Sequence, residues 1–216
     1  SSQPRNMMTL GTVVYFQANP GGGFALFQTD GTDAGTVEVS PTMSASAFSP
    51  SGKMMANGNT FYFIGGSSTD TELFKSDGTD GGTGMVKNIN PTSHANVRDF
   101  ILYNGLIYFR ATDGVHGIEL WRTDGTEAGT VMVKDINPGT TGSLPSFMTV
   151  YNGKIIFTAL HASYHWEPWV SDGSEAGTTL IKDILPGVNS GTPHYLQVLP
   201  GKGVVFGAND GTNGME

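Results

Sequence analysis

The chain has 216 residues, a formal net charge of −8 and an isoelectric point near 4.9, which argue against sequence-independent nucleic-acid binding and against docking on anionic lipid. No apolar run approaches the roughly 20 residues that cross a bilayer, so membrane insertion is not expected. Cysteine is absent, which excludes disulfides and thiolate metal sites, and 31 glycines with only 14% charged residues favour strands and turns.

The predicted strands fall into units that follow one pattern. The first unit covers about residues 7–41, and its last stretch, 37–41, is shorter than in the other units and lacks their Lys-Asp pair, so its outer strand is predicted to be shorter too. The second unit covers about 47–91, and Asn57-Gly58 precedes one of its apolar runs. An Asn-Gly pair between apolar runs is a strong signal for a type I′ hairpin, because both turn positions need positive φ.

The third unit, about residues 98–138, follows this pattern most closely. Its predicted strands lie at 100–103, 106–109, 118–122 and 130–136. Asn104-Gly105 joins the first two of these strands as a hairpin. The fourth unit, about 146–186, repeats the arrangement, and a partial fifth covers 195–216, so we interpret the chain as part of a longer protein.

One aspartate recurs in every full unit, at positions 30, 77, 124 and 172, so the spacings are 47, 47 and 48 residues. Units of four short antiparallel strands at such a period are typical of β-propeller blades, which bury their faces by stacking on one another. The sequence therefore predicts an all-β fold, a single β-propeller domain over 1–216 with four full blades and a partial fifth.

The third unit reads Glu-Leu-Trp-Arg-Thr-Asp-Gly-Thr from Glu119 to Thr126, and Ala-Gly-Thr and Val-Met-Val-Lys-Asp-Ile-Asn-Pro-Gly follow. This pattern resembles the ELWxxDGT repeat of large secreted or surface proteins of bacteria, and the resemblance covers 7–216. It implies an extracellular or cell-surface protein with a propeller-like fold and no defined catalytic mechanism. The Asp-Gly-Thr turn is also similar to the Asp-box hairpins of sialidases, where it is structural and lies away from the active site.

The recurring aspartates are interpreted first as structural residues of their turns. They are Asp30, Asp77, Asp124 and Asp172. The carboxylate of such a residue accepts backbone N–H groups of its own turn, and the following glycine supplies positive φ. The alternative is calcium bound by Asp30 with Asp33 or by Asp77 with Asp80, since Ca²⁺ takes several oxygen ligands. The turn is poor in ligands compared with a dedicated calcium loop, so no cofactor is expected and calcium remains the alternative.

Two further positions of the repeat leave two interpretations open. The aromatic position holds Phe27, Phe74, Trp121 and Trp169, and the acidic position holds Glu72, Glu119, Glu167 and Glu216. The aromatic residues pack between blades or form a sugar platform. The glutamates act with them as a ligand pair or hydrogen-bond the next blade.

The fourth unit departs from the pattern between its second and third strands. His161, Tyr164, His165, Trp166 and Glu167 are predicted to share one loop there. Imidazoles with a carboxylate suit a transition metal, and aromatic rings with polar neighbours suit a carbohydrate. The competing interpretation is that a single variant loop has no binding role.

The favoured function is a non-enzymatic extracellular scaffold for binding or assembly, with a glycan or other copies of the chain as partners. The alternative is a secreted polysaccharide hydrolase or lyase. The uniform repeats argue against an enzyme, because an active site disturbs several blades, and no triad, phosphate loop or carboxylate pair is recognisable. An unfinished fifth unit would leave an open sheet edge, which favours self-assembly through strand pairing.

Overall fold

The computed structural model describes residues 2–40, 54–66, 70–187 and 190–215, and within them the regular structure is entirely β-strand. The strands are β1 (Arg5–Leu10), β2 (Val13–Ala18), β3 (Ala25–Thr29), β4 (Val37–Glu38), β5 (Met55–Asn57), β6 (Thr60–Gly66), β7 (Thr71–Ser76), β8 (Gly84–Lys87), β9 (Arg98–Tyr103), β10 (Leu106–Thr112), β11 (Ile118–Thr123), β12 (Val131–Lys134), β13 (Ser146–Tyr151), β14 (Lys154–His161), β15 (His165–Ser171), β16 (Thr179–Leu180), β17 (His194–Leu199) and β18 (Gly203–Gly207). The described part of the chain has no helix that could cross a membrane.

The strands form antiparallel sheets, each made of strands that follow one another in the chain. Four sheets have four strands, β1–β4, β5–β8, β9–β12 and β13–β16, and we call them blades 1 to 4. In the described residues β17 and β18 form a two-stranded sheet, called blade 5. The predicted all-β architecture of four-stranded antiparallel blades is therefore confirmed.

The hairpins between the first and second strands have the predicted turn geometry. Asn104 and Gly105 have φ values of 48° and 74°, and Asn152 and Gly153 have values of 47° and 65°. Positive φ at both central residues is the property of a type I′ turn, whose twist matches that of the flanking strands. The Asn-Gly pairs therefore set the register of the first hairpin in blades 3 and 4.

The hydrophobic core lies between successive blades, and in blades 2 and 3 the second strand contributes to two cores at once. In blade 3, Ile107, Phe109 and Ala111 of β10 pack in a cluster with blade 2. Tyr108 points to the other face and packs in a cluster with blade 4. Alternate side chains of a strand face opposite sides of a sheet, so both faces of a blade need an apolar partner. Blades 1 and 2 share a third cluster around Phe61.

Hydrogen bonds from repeated lysines join the outer parts of neighbouring blades. Lys87 Nζ donates to the Thr130 carbonyl at 2.8 Å, and Lys134 Nζ donates to the Thr178 carbonyl, also at 2.8 Å. The turn glycine of one blade also abuts a tyrosine of the blade before it, since a Cβ at Gly125 would collide with the hydroxyl of Tyr62. These contacts explain why lysine and Asp-Gly recur at fixed spacing, because each repeats one interblade contact.

The last strand of a blade is shorter than the sequence pattern indicated. The prediction for blade 3 was 130–136, but β12 ends at Lys134 because the backbone N–H of Ile136 donates to the Glu119 carboxylate instead of a strand. The first unit was predicted to have a shorter last strand than the others, yet β16 has two residues, as β4 has. The predicted start of the second unit, 47–53, lies outside the described residues.

We expect Lys134→Met to lower the free energy of unfolding by about 1 kcal/mol, because methionine keeps the apolar stem but cannot donate to Thr178. Lys182 occupies the same repeat position in blade 4, is exposed and has no such partner in the described chain, so Lys182→Met is the matched control. Urea denaturation measures both. Equal losses in the two variants would contradict a stabilising role for the interblade bond.

Candidate functional site

The recurring aspartates lie in turns that use their carboxylates internally. Asp124 Oδ1 accepts the backbone N–H of Thr126 at 2.8 Å and its hydroxyl at 2.7 Å. These two hydrogen bonds, the hydroxyl first, hold the pKa of Asp124 below its usual value. Asp30, Asp77 and Asp172 have the same arrangement with Thr32, Thr79 and Ser174. The structure thus places all four aspartates as residues that shape the turn.

The calcium candidates are not brought together with further ligands. Asp80 Oδ1 accepts the hydroxyl of Ser40 at 2.8 Å, which links blade 1 to the turn of blade 2, and Asp33 is exposed. The described residues contain no group of three or more His, Asp or Glu side chains that could hold a metal ion. Neither Asp30 with Asp33 nor Asp77 with Asp80 therefore has the set of acidic ligands that a calcium site uses.

The repeated glutamates Glu72, Glu119 and Glu167 are fully buried and fasten blades 2, 3 and 4 to the segments that follow them, while Glu216 lies outside the described residues. Glu119 accepts the backbone N–H groups of Ile136 and Asn137 at 3.1 Å, that of Ser143 at 2.9 Å, and the Ser143 hydroxyl. Glu72 accepts Ile89 and Asn90, and Glu167 accepts Ile184 and Gly191. Burial raises the pKa of Glu72 and of Glu119 to about 7, against the opposite effect of these donors. The glutamates are internal acceptors, so they do not form a ligand pair with the aromatic residues.

Three of the four aromatic residues of the repeat, Phe74, Trp121 and Trp169, are part of the core, whereas Phe27 is half-buried and stacks on Phe16 within blade 1. Trp121 is 6% exposed in the cluster between blades 2 and 3, and Trp169 is 5% exposed in the cluster between blades 3 and 4. Rings at this depth cannot serve as a platform for a sugar. Their role is to fill the space between blades.

The predicted loop of the fourth unit is largely a strand hairpin. β14 continues to His161, β15 begins at His165, and these two residues pair, so only 162–164 form the turn. The prediction of a five-residue cluster in one loop was therefore wrong, since the strands continue through positions where the other units have a polar loop. Glu167 belongs to the buried glutamates, and the Trp166 backbone N–H donates to Ser190 Oγ at 3.0 Å. The five side chains do not converge on a site.

What is exposed on this hairpin is a small ring contact. The rings of His161 and Tyr164 stack at a centroid distance of 4.8 Å, and Tyr164 is 38% exposed. His161 Nδ1 accepts the backbone N–H of Ser163 at 3.1 Å, which leaves it less available to a metal. The hairpin therefore offers one tyrosine face and no cluster of ligands.

A different set of residues, which the sequence did not single out, lies at the inner edge of the molecule. Corresponding first strands approach each other in successive blades, β5 with β9, β9 with β13 and β13 with β17. They mark the side on which the blades converge. In blades 1, 3, 4 and 5 the first strand holds one extra residue relative to its partner, which is a β-bulge.

The first residue of each bulge has positive φ. These residues are Asn6 at 52°, Asp99 at 58°, Phe147 at 54° and Tyr195 at 56°, and we call them the inner bulge row. The corresponding part of blade 2 lies outside the described residues. The backbone geometry is the same at these four positions, but the side chain differs at each of them. In the Asp-Gly turn, by contrast, the residues themselves repeat from unit to unit.

The inner bulge row forms a connected surface over blades 3 to 5. Arg110 Nε lies 3.0 Å from Asp99 Oδ2, and Arg110 also donates to Ser146 Oγ at 3.0 Å. Next to Ser146, the ring of Phe147 lies 5.8 Å from that of Tyr195, centroid to centroid, at an interplanar angle of 59°. Phe147 is 45% exposed and Tyr195 is 75% exposed. The surface therefore presents an exposed pair of aromatic rings near a charged pair.

No protein-family model and no curated protein sequence matches the chain. Solved structures do match, at low identity. The chain aligns with a structure from the nidogen/laminin complex at TM-score 0.52 and 11% identity, covering 96% of this chain and 73% of that one. A structure of prolyl endopeptidases gives TM-score 0.52 at 14% identity, covering 92% of this chain and 30% of that one.

A puromycin-hydrolyzing peptidase of Mycobacterium tuberculosis gives TM-score 0.51 at 12% identity, covering 84% of this chain and 32% of that one. The chain thus spans about a third of the length of the peptidases that it matches. At this level of identity the similarity shows the fold alone, and that fold is the β-propeller.

We expect Glu119→Gln to lower the free energy of unfolding by about 2 kcal/mol, because the amide replaces one buried acceptor by a donor that faces N–H groups. Glu127→Gln changes an exposed glutamate and should stay within about 0.5 kcal/mol of wild type. Urea denaturation at constant pH compares the two. A loss in Glu127→Gln as large as that in Glu119→Gln would show that burial of Glu119 is not the cause.

The raised pKa values of Glu72 and Glu119 predict a pH dependence of stability. In the folded chain both keep their proton up to about pH 7, whereas in the unfolded chain they lose it near the ordinary value of 4.5. The folded state binds more protons in this window, so the free energy of unfolding falls as pH rises from about 4.5 to about 7. Denaturation at pH 5 and pH 8 measures the fall, which should be smaller in the E72Q/E119Q double variant. An unchanged fall in that variant would assign the effect to other groups.

Proposed function

We propose that the chain is an extracellular or cell-surface repeat protein of the ELWxxDGT type that acts as a non-enzymatic binding scaffold, with a glycan as its partner. The observation that carries this proposal is a division of roles within each unit. The repeated Glu, Asp, Lys and aromatic side chains are used in contacts within and between blades, whereas the inner bulge row presents different side chains on a constant backbone.

A scaffold role is supported by how firmly the row is held. Each bulge lies near the start of a first strand, and in blades 3, 4 and 5 the preceding segment is bonded to a buried glutamate, as Ser143 is to Glu119 just before β13. Binding residues held by a rigid framework lose little conformational freedom when a ligand binds. The exposed side chains of the row are therefore positioned in advance.

A glycan partner is supported by the chemistry of the exposed groups. Phe147 and Tyr195 offer two aromatic faces, and His194 contacts the Tyr195 ring. Asp99 is connected through Arg110 to Ser146, the residue before Phe147, and Arg98 precedes Asp99 in β9. Sugars have apolar C–H faces and a rim of hydroxyl groups, so a site for them combines aromatic rings with a few polar side chains. Both components are present on this surface.

A glycan array with labelled protein, run with calcium and with a chelator, tests the proposal. We expect the folded protein to retain a related group of glycans in both conditions and urea-unfolded protein to retain none. Mass spectrometry of the retained saccharides should show no cleavage. Shortened products would instead indicate a hydrolase or lyase. Retention of no glycan, together with concentration-dependent sedimentation, would identify other copies of the chain as the partner.

A further inference from the structure

We infer that the inner bulge row of blades 3 to 5 is a subsite for an acidic sugar, with Phe147 and Tyr195 stacking on the sugar ring and Arg98 binding its carboxylate. This inference rests on the proposed function and names both the location and the chemical class of the ligand. It draws on backbone strain, on exposed aromatic surface and on one arginine that has no partner among the described residues.

The backbone of the bulge requires a residue that tolerates the left-handed region, and this requirement explains only part of the row. Asn and Asp adopt positive φ more readily than other non-glycine residues, so Asn6 and Asp99 suit the geometry. Phe147 and Tyr195 do not, and a large side chain in this region costs about 1 kcal/mol or more. Glycine would avoid that cost, so the two rings are not there for the benefit of the backbone.

Packing explains the two rings only in part. Tyr195 is 75% exposed, so folding removes little of its apolar surface from water, whereas Phe147 is 45% exposed and about half buried. The centroids of the two rings lie 5.8 Å apart at an interplanar angle of 59°, and the centroids of His194 and Tyr195 lie 4.7 Å apart in an edge-to-face contact. The exposed faces of the two rings are available to stack on the C–H face of a pyranose ring.

The charged residues of β9 select the type of sugar. Asp99 forms an ion pair with Arg110, and Arg110 also bonds Ser146, the residue before Phe147, so the guanidinium of Arg110 is already occupied. The backbone of Arg98 pairs with that of Arg110 across the hairpin, and Arg98 is exposed and has no hydrogen bond or ion pair within the described chain. A planar guanidinium binds a carboxylate through two parallel hydrogen bonds. Because Arg98 directly precedes Asp99 in β9, the strand that lies next to β13 at the inner edge, it is the cation that this part of the edge offers to a ligand.

The overall charge of the protein limits how that acid is recognised. A net charge of −8 repels a polyanion at long range, so general electrostatic attraction does not drive binding. A carboxylate must instead be bound by direct contact with Arg98 while the rings hold the sugar. The subsite therefore recognises a single uronic-acid residue within a saccharide chain. Its affinity depends both on the contact of the carboxylate with Arg98 and on the stacking of the sugar ring on the aromatic rings.

Two matched probes separate these contacts, a tetragalacturonate and its fully methyl-esterified form, which has the same sugar rings without the charges. By isothermal titration calorimetry we expect wild-type protein to bind the acid about ten-fold more tightly than the ester, the gain expected from one charge-assisted contact. Arg98→Gln should remove this difference. Phe147→Gly and Tyr195→Gly should weaken binding of both probes about ten-fold or more.

The glycine variants also distinguish loss of a contact from loss of folding. Because glycine adopts positive φ without strain and Tyr195 is largely exposed, the thermal unfolding midpoint of Tyr195→Gly should stay close to that of wild type. Phe147→Gly removes a ring that is about half buried, so its midpoint should fall but stay above the temperature of the binding measurement. Tyr164→Ala and Lys202→Gln are the aromatic and charge controls, since both residues are exposed and lie away from the row. Both controls should bind as wild type does.

The outcomes that overturn the inference differ from those that overturn the proposed function. Equal affinity for the two probes removes the acidic preference, and unchanged affinity in both glycine variants places binding elsewhere. Failure of both probes to bind rejects this subsite for uronic acids. In each of these cases the glycan array alone decides whether the protein is a glycan-binding scaffold. Loss of binding in Tyr164→Ala equal to that in Tyr195→Gly would also reject the site.

Discussion

The whole structure depends on stacking one four-stranded sheet against the next. A blade has two apolar faces, as Tyr108 and Phe109 on opposite sides of β10 show, and it cannot bury either face alone. Burial of apolar surface between blades is therefore what stabilises the fold. Stacking brings strand ends and connecting segments together, and their backbone groups need partners. The buried glutamate meets this need by accepting backbone N–H groups of the connecting segment. Because the same bond is needed in successive blades, the glutamate recurs in the sequence with the period of the blades.

This dependence accounts for what the sequence could and could not predict. The period, the Asn-Gly hairpins and the alternation of apolar residues are local signals, and they were sufficient for the blade count and for most strands. The end of β12 was missed because it depends on Glu119, a residue 17 positions before Ile136, taking over the backbone hydrogen bond. Whether a backbone N–H donates to a neighbouring strand or to a distant side chain is decided by tertiary structure. The alternation of apolar residues along the strand does not reveal it.

The candidate site was harder to predict for a related physical reason. The unusual composition of the segment from His161 to Glu167 suggested a binding loop. Pairing between β14 and β15 instead distributes its side chains over two strands and buries Glu167. Phe147 and Tyr195 look like ordinary strand residues in the sequence. Only the extra residue in their strand and its positive φ turn them outward, and a bulge is visible only when two strands are paired. Comparing first strands between units would have revealed that this position varies.

The contrast between constant and variable positions has a physical basis. A side chain with a fixed partner in its own turn, in the connecting segment or in the next blade cannot change without that partner, so the buried glutamates, the turn aspartates and Lys87 and Lys134 repeat from one unit to the next. The bulge position is constrained mainly through its backbone, which the strand pairing fixes on either side. Its side chains differ in their surroundings, since Asn6 bonds Gln17 and Asp99 pairs with Arg110, whereas Phe147 and Tyr195 are exposed and contact each other. Recognition in a stacked repeat protein of this kind therefore belongs to positions where the backbone is fixed and the side chain can vary without breaking a contact between blades.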